Sequence, residues 1–138
     1  MSSIARFGIS LDKGLLDKFD KLIESKSYTN RSEAFRDLIR QELVKKEWLD
    51  ADEVIGAVTL VYDHHKRELV NTLLDIQHEF GSCIISSQHI HIDHNNCLEI
   101  LAVKGSAEKI QRLSENLKAV KGVKHSTLSM STTGRDII

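Results

Sequence analysis

The sequence predicts an α+β protein in two parts, a strand-helix-helix segment followed by a β-α-β-β-α-β domain. Three observations carry this. Residues 4–11 alternate apolar and polar side chains and are followed by two stretches of helical apolar spacing. Residues 49–53, Leu-Asp-Ala-Asp-Glu, are acidic and have no apolar period. From residue 54 onward, strand-like and helix-like patterns alternate in the order of a split βαβ, ferredoxin-like unit. The expected division is therefore residues 1–48, a link at 49–53, and residues 54–138.

In the first part, Phe7, Ile9 and Leu11 fall on one face of a short strand and Arg6, Gly8 and Ser10 on the other. Asp12 is a good N-cap, and Leu15, Leu16, Phe19, Leu22 and Ile23 then follow helical spacing. Ser25-Lys26-Ser27-Tyr28-Thr29 interrupts it. Asn30, with Glu33 three residues on, predicts the capping box of a second helix. Its apolar face is Ala34, Phe35, Leu38, Ile39 and Leu43, extending to Trp48. One strand and two helices bury little core alone, and a lone strand needs a partner edge. A two-fold dimer that pairs the two copies of this strand resolves both problems.

The second part reads as strand 54–62, helix 65–79, strand 82–92, strand 97–104, helix 106–119 and strand 123–130. Leu69, Leu73, Leu74 and Ile76 mark the first helix; Ala107, Ile110, Leu113, Leu117 and Val120 mark the second. Gly122 suits a helix C-terminus.

The chain has 138 residues and a formal net charge of −1. That charge creates no global field for nucleic acid or anionic membrane, so a DNA contact has to come from a local basic surface. No apolar run approaches the roughly 18 residues of a membrane helix, and the N-terminus has no apolar signal region. A cytoplasmic protein without membrane association is expected. In a reducing compartment a disulfide between Cys83 and Cys97 is the less favoured use of the two cysteines; Cys83 reads as a core residue and Cys97 as a metal ligand.

The chemistry concentrates in residues 88–97, Gln-His-Ile-His-Ile-Asp-His-Asn-Asn-Cys. On a strand, His89 and His91 share one face and Ile90 and Ile92 the other, which predicts an imidazole pair on one side and core on the other. Asp93-His94-Asn95-Asn96 is a turn cluster, so Cys97 returns beside the histidines. Two imidazoles and a thiol form a strong ligand set for a divalent ion. Spacing leaves His94, His78, His125 or water as the fourth ligand. Glu99 is either a hydrogen-bond acceptor that orients a ligating imidazole or a solvent-facing charge.

Two stretches resemble known proteins. Arg6-Phe7-Gly8-Ile9-Ser10-Leu11, the following helix and Tyr28-Thr29-Asn30-Arg31-Ser32-Glu33-Ala34-Phe35-Arg36-Asp37-Leu38-Ile39-Arg40 look like the ribbon-helix-helix repressors, whose paired strands lie in the DNA major groove. Taken with Tyr62-Asp63-His64-His65-Lys66-Arg67, Gln77-His78, His89-x-His91-x5-Cys97-Leu98-Glu99 and Lys121-Gly122-Val123-Lys124-His125, nearly the whole chain is similar to the NikR family of nickel-responsive regulators. The resemblance implies an ACT-like, ferredoxin-like second domain. It also implies one nickel(II) per subunit in a square-planar site of His89, His91 and Cys97, completed by His78 of another subunit.

A homotetramer, built as a dimer of dimers, and a palindromic operator come with it. Arg6, Gly8 and Ser10 become the groove-facing positions. Gly8 departs from the polar pattern, since it has no side chain to read a base. Lys66 and Arg67 match residues that touch the DNA backbone in relatives, and Glu33 and Asp37 match acidic residues of a second cation site between domains. The implied function is nickel-dependent repression of nickel-uptake genes, without enzymatic activity. The alternatives are a small-molecule-sensing ribbon-helix-helix regulator and a zinc-dependent hydrolase, although no H-E-x-x-H motif is present.

Overall fold

In the computed structural model, which describes residues 3–137, the chain forms two compact units, Met1–Ile39 and Arg40–Ile138. In the first, Asp12 accepts hydrogen bonds from the backbone N–H groups of Gly14 at 2.9 Å and Leu15 at 3.3 Å, and so starts helix α1 (Lys13–Ser25). Helix α2 (Arg31–Asp50) begins where Asn30 Oδ1 accepts from Glu33 N at 2.9 Å. The reciprocal arm of the expected capping box lands one residue earlier: the Glu33 carboxylate takes Thr29 N at 3.1 Å and Thr29 Oγ1 at 2.6 Å. Ile23 and Ala34 are buried, and the Phe19 and Phe35 rings meet at 5.2 Å.

Residues 4–11 form no hydrogen-bonded strand in the single chain, which departs from the pattern read in the sequence. A strand needs a neighbour to exchange N–H and C=O groups. Phe7, Ile9, Leu11, Leu15, Leu38 and Ile39 stay exposed here, the face that a second copy was expected to cover.

Helix α2 continues past the expected end at Trp48 to Asp50. Trp48 packs into the core of the second unit, with Val54, Val58 and Leu60, and its indole N–H donates to Ser131 O at 2.9 Å. A Cβ at Gly56 would lie 3.0 Å from that indole and 2.6 Å from Ser129 O, so only glycine lets the ring approach the strand this closely.

The rest of the second unit is β1 (Val54–Tyr62), α3 (Arg67–Glu79), a 3-10 turn (Gly81–Cys83), β2 (Ile84–Asp93), β3 (Asn96–Gly105), α4 (Ala107–Lys118) and β4 (His125–Met130). The sheet is antiparallel throughout, in the order β2-β3-β1-β4. That is the ferredoxin-like order expected from the sequence. Val54, Val58, Leu60 and Tyr62 of β1 and Leu101 and Val103 of β3 pack with Leu69 and Leu73 of α3 and Ile110, Leu113 and Leu117 of α4.

The register corrects one expectation. His89 pairs with Glu99 and His91 with Cys97, and both Cys97 and Glu99 belong to the buried face of β3. The imidazoles therefore share the face that carries the core. Ile90 and Ile92 lie on the opposite, open face, 38% and 54% exposed. Alternation along β2 fixes two faces; which one is covered depends on where α3 and α4 pack, and they pack on the histidine side.

Candidate metal centre

His89 and His91 sit on edge strand β2, Cys97 and Glu99 opposite them on β3, and Tyr62 opposite Cys97 on β1. Three neighbouring strands thus present these side chains in a short row. Cys97 Sγ lies 3.9 Å from His89 Nδ1. The other ring nitrogen, Nε2, is 3.2 Å from Glu99 Oε2. With Nε2 donating to the carboxylate, Nδ1 is the atom left to bind, and it faces the sulfur.

Glu99 is only 1% exposed. Besides His89 it accepts from Tyr62 OH at 2.8 Å and from Gln77 Nε2 of α3 at 3.2 and 3.3 Å. A buried carboxylate needs such partners, and here it also fixes the ring plane of a candidate ligand, the arrangement typical of metal-bound histidine. This selects between the two sequence readings of Glu99: it is not a solvent-facing charge. Tyr62 and Gln77 were missed as its partners. The period-two spacing that put Tyr62 on the buried face of β1 was the available signal.

Burial pushes the Cys97 thiol above its ordinary value; the Ile90 backbone N–H works against that and the Glu99 charge adds to it. Burial and then the Glu99 hydrogen bond push the Tyr62 phenol well above the usual range. A thiolate at Cys97 therefore needs a cation beside it. Two imidazoles, a thiol and an orienting carboxylate fit a nickel ion by donor chemistry.

Among the described residues, the donor atoms of His89, His91 and Cys97 do not all fall within 4.8 Å of one another; those of Asp63, His64 and His65 do. His78 is exposed in the last turn of α3, and no such group among the described residues includes it. His94 lies against His65, with ring centroids 4.8 Å apart, and His125 opens β4 on the far side of β1. The His64 ring meets His91 edge-on at 4.7 Å, and burial holds His64 below the ordinary imidazole value. Asp63, His64 and His65 were not singled out as ligands from the sequence, although an Asp-His-His run at a strand end is a visible signal.

Arg6, Gly8 and Ser10 are exposed in the extended N-terminal segment, and Lys66 and Arg67 are exposed where α3 begins. Glu33 is engaged by Thr29, and Asp37 accepts a hydrogen bond from Tyr28 OH. Cys83 is buried and free, as expected. No helix among the described residues is long and apolar enough to cross a membrane.

Residues 5–46 match the ribbon-helix-helix protein, copG family, and residues 55–131 match the NikR C terminal nickel binding domain. The two matched domains make this chain a DNA-binding transcription regulator with a nickel-binding domain rather than an enzyme. A relative from Syntrophus aciditrophicus named nickel-responsive regulator is 60% identical over 135 residues, covering 98% of both chains. Relatives of the same name from Pyrococcus furiosus and Nitratidesulfovibrio vulgaris are 54% and 52% identical, each covering at least 98% of this chain and 99% of their own. An uncharacterised protein of Thermotoga maritima shares the fold over 56% of this chain and 96% of its own, at a TM-score of 0.52 and 18% identity. The chain belongs to the NikR family of nickel-responsive regulators.

Proposed function

We propose that this nickel-dependent regulator binds one nickel(II) per subunit through His89, His91 and Cys97, with His78 supplied by another subunit. The observation that carries the assignment is the placement of His89, with Nδ1 facing Cys97 Sγ at 3.9 Å and Nε2 held by the buried Glu99. His89, His91 and Cys97, with His78 of another subunit, would hold the ion, whose positive charge would favour the Cys97 thiolate. Glu99, Tyr62 and Gln77 keep the His89 ring oriented.

The proposed assembly is a homotetramer, a dimer of dimers. Its N-terminal ribbons pair in each dimer, and its regulatory domains meet through the sheet. The open face of β2, with Ile85, Ile90 and Ile92 exposed, supports an interface there. Arg6 and Ser10 would read base edges from the ribbon, and Gly8 would let the backbone approach. Lys66 and Arg67 suit phosphate contacts. Residues 1–48 serve DNA binding and 54–138 nickel response, with 49–53 between them. Glu33 and Asp37, one helical turn apart, are the proposed pair for a further cation.

Nickel can strengthen DNA binding only through higher affinity for the DNA-competent arrangement, and operator DNA must then tighten nickel by the same factor. The expected target is a palindromic operator that represses nickel-uptake genes in the cytoplasm. Titrating the protein with nickel while recording absorption, beside gel shifts on such a promoter, tests the proposal. A thiolate-to-nickel charge-transfer band and nickel-dependent retardation are expected. A protein that shows neither does not work this way.

A further inference from the structure

Strands β2 and β3 are joined by the two-residue turn His94-Asn95, with Asp93 opposite Asn96. Regular pairing from there would set Ile92 opposite Cys97 and His91 opposite Leu98. The structure has His91 opposite Cys97 and His89 opposite Glu99 instead, because the register shifts between His91 and Asp93. Ile92 is the extra residue of a β-bulge. A slip of one position sends every side chain of a strand to the other face. Without the bulge both imidazoles would lie on the open face, and Ile90 and Ile92 would join Cys97 and Glu99 on the side packed by α3 and α4. Apolar patterning alone favours that alternative, since it buries two isoleucines in place of two histidines, so something else has to hold the bulge.

The turn backbone is not what holds it. Two-residue hairpins favour turns with positive φ, yet among the described residues only Ser27, apart from glycines, has a positive φ. Side chains do the fastening. Asp93 Oδ1 accepts from Asn95 N at 2.9 Å and from Asn96 Nδ2 at 2.9 Å, and Asp93 Oδ2 accepts from Asn96 Nδ2 at 3.0 Å. Asn96 Oδ1 in turn accepts from Lys124 Nζ. Lys124 precedes β4 and is itself anchored, its N–H donating to Val61 O at 2.8 Å. Since β1 lies between β3 and β4, the lysine side chain reaches across the end of β1 to the first residue of β3.

We infer that Asp93, Asn96 and Lys124 are positioning residues for the metal centre: their hydrogen-bonded chain holds the bulge at Ile92, and the bulge turns His89 and His91 to the face of Cys97. None of the three is a ligand. The inference rests on the His89–His91–Cys97 reading above and adds the device that keeps those donors together before an ion arrives.

The test uses wild type, Asn96→Ala, Lys124→Met, Lys124→Arg and Asn96→Ala combined with deletion of Ile92. In the metal-free protein, nuclear Overhauser contacts between backbones report which positions face each other. Wild type and Lys124→Arg should show His91 opposite Cys97, whereas Asn96→Ala and Lys124→Met should also show Ile92 opposite Cys97. By competition with a chelator, Asn96→Ala and Lys124→Met should bind nickel at least about tenfold more weakly, and Lys124→Arg should match wild type. Asp93 and Lys124 are exposed, so unfolding midpoints should barely change. Deleting Ile92 makes His91 the neighbour of Asp93; regular pairing then sets His91 opposite Cys97, and nickel affinity should recover in the Asn96→Ala background. Asn96→Ala that keeps only the His91–Cys97 contact and binds nickel as wild type does overturns the inference. So does a loss of affinity that a folded Ile92-deleted variant does not repair, since that loss would not come through the register. If wild type gives no thiolate-to-nickel band, the nickel reading fails, and the metal-free contacts still decide whether these three residues set the register.

Discussion

His89 Nε2 and Glu99 Oε2 face each other at 3.2 Å across paired strands, one side chain half exposed and the other closed to solvent. The carboxylate cannot turn away, because Tyr62 and Gln77 hold both of its oxygens. Removing its charge should therefore loosen the imidazole rather than the fold. Glu99→Gln is expected to weaken nickel about 10- to 100-fold, measured by competition with a chelator of known affinity. Unchanged nickel affinity with a lowered unfolding midpoint would assign Glu99 a purely structural role.

His89→Ala or Cys97→Ala should abolish nickel-stimulated DNA retardation while leaving circular dichroism and subunit pairing as in wild type. Either variant responding normally to nickel removes that residue from the ligand set.

Ligation requires unprotonated imidazoles and a thiolate, so nickel binding releases protons. Affinity should fall as pH is lowered, because protons compete with the ion for the ligand atoms. Titrations at pH 8 and 5.5 that give the same affinity would argue against histidine ligation.

Arg6→Ala should lose operator recognition and keep full nickel uptake, because Arg6 lies in the first unit and the proposed ligands in the second. Gel shifts and metal titration on one preparation separate the two effects.

Trp48→Ala removes a buried indole and its hydrogen bond to Ser131 O. The expected cost is about 3–5 kcal/mol, read from denaturant unfolding. A cost below about 1 kcal/mol would mean that the ring is not part of the second unit's core.

In the first unit, Arg31 hydrogen-bonds Asp20 at 2.9 and 2.8 Å and holds its carboxyl below the usual value. A lowered folded-state pKa gives stability that is present above the ordinary carboxylate value of about 4 and is lost as pH falls through the lowered one. The pair is exposed, so the effect is modest. Wild type should melt slightly above Asp20→Asn at pH 7, and the two should coincide near pH 2. A difference that persists at pH 2 would point to another role for Asp20.

The sequence by itself determined the element order, because apolar periods of two and 3.6 are local properties: β1 came out at residues 54–62, and Asp12 and Asn30 marked both helix starts. It also placed His89, His91 and Cys97 on one hairpin, since alternation and a turn cluster are enough for that. Only the tertiary structure decided which face of that hairpin is covered, because helices α3 and α4 reach it from distant sequence and settle on the imidazole side. Packing likewise buried Glu99, drew Trp48 into the second unit's core, and set Asp63, His64 and His65 beside His94. Residues 4–11 show the limit of one chain: their alternation is plain, but a strand exists only when another edge accepts its hydrogen bonds.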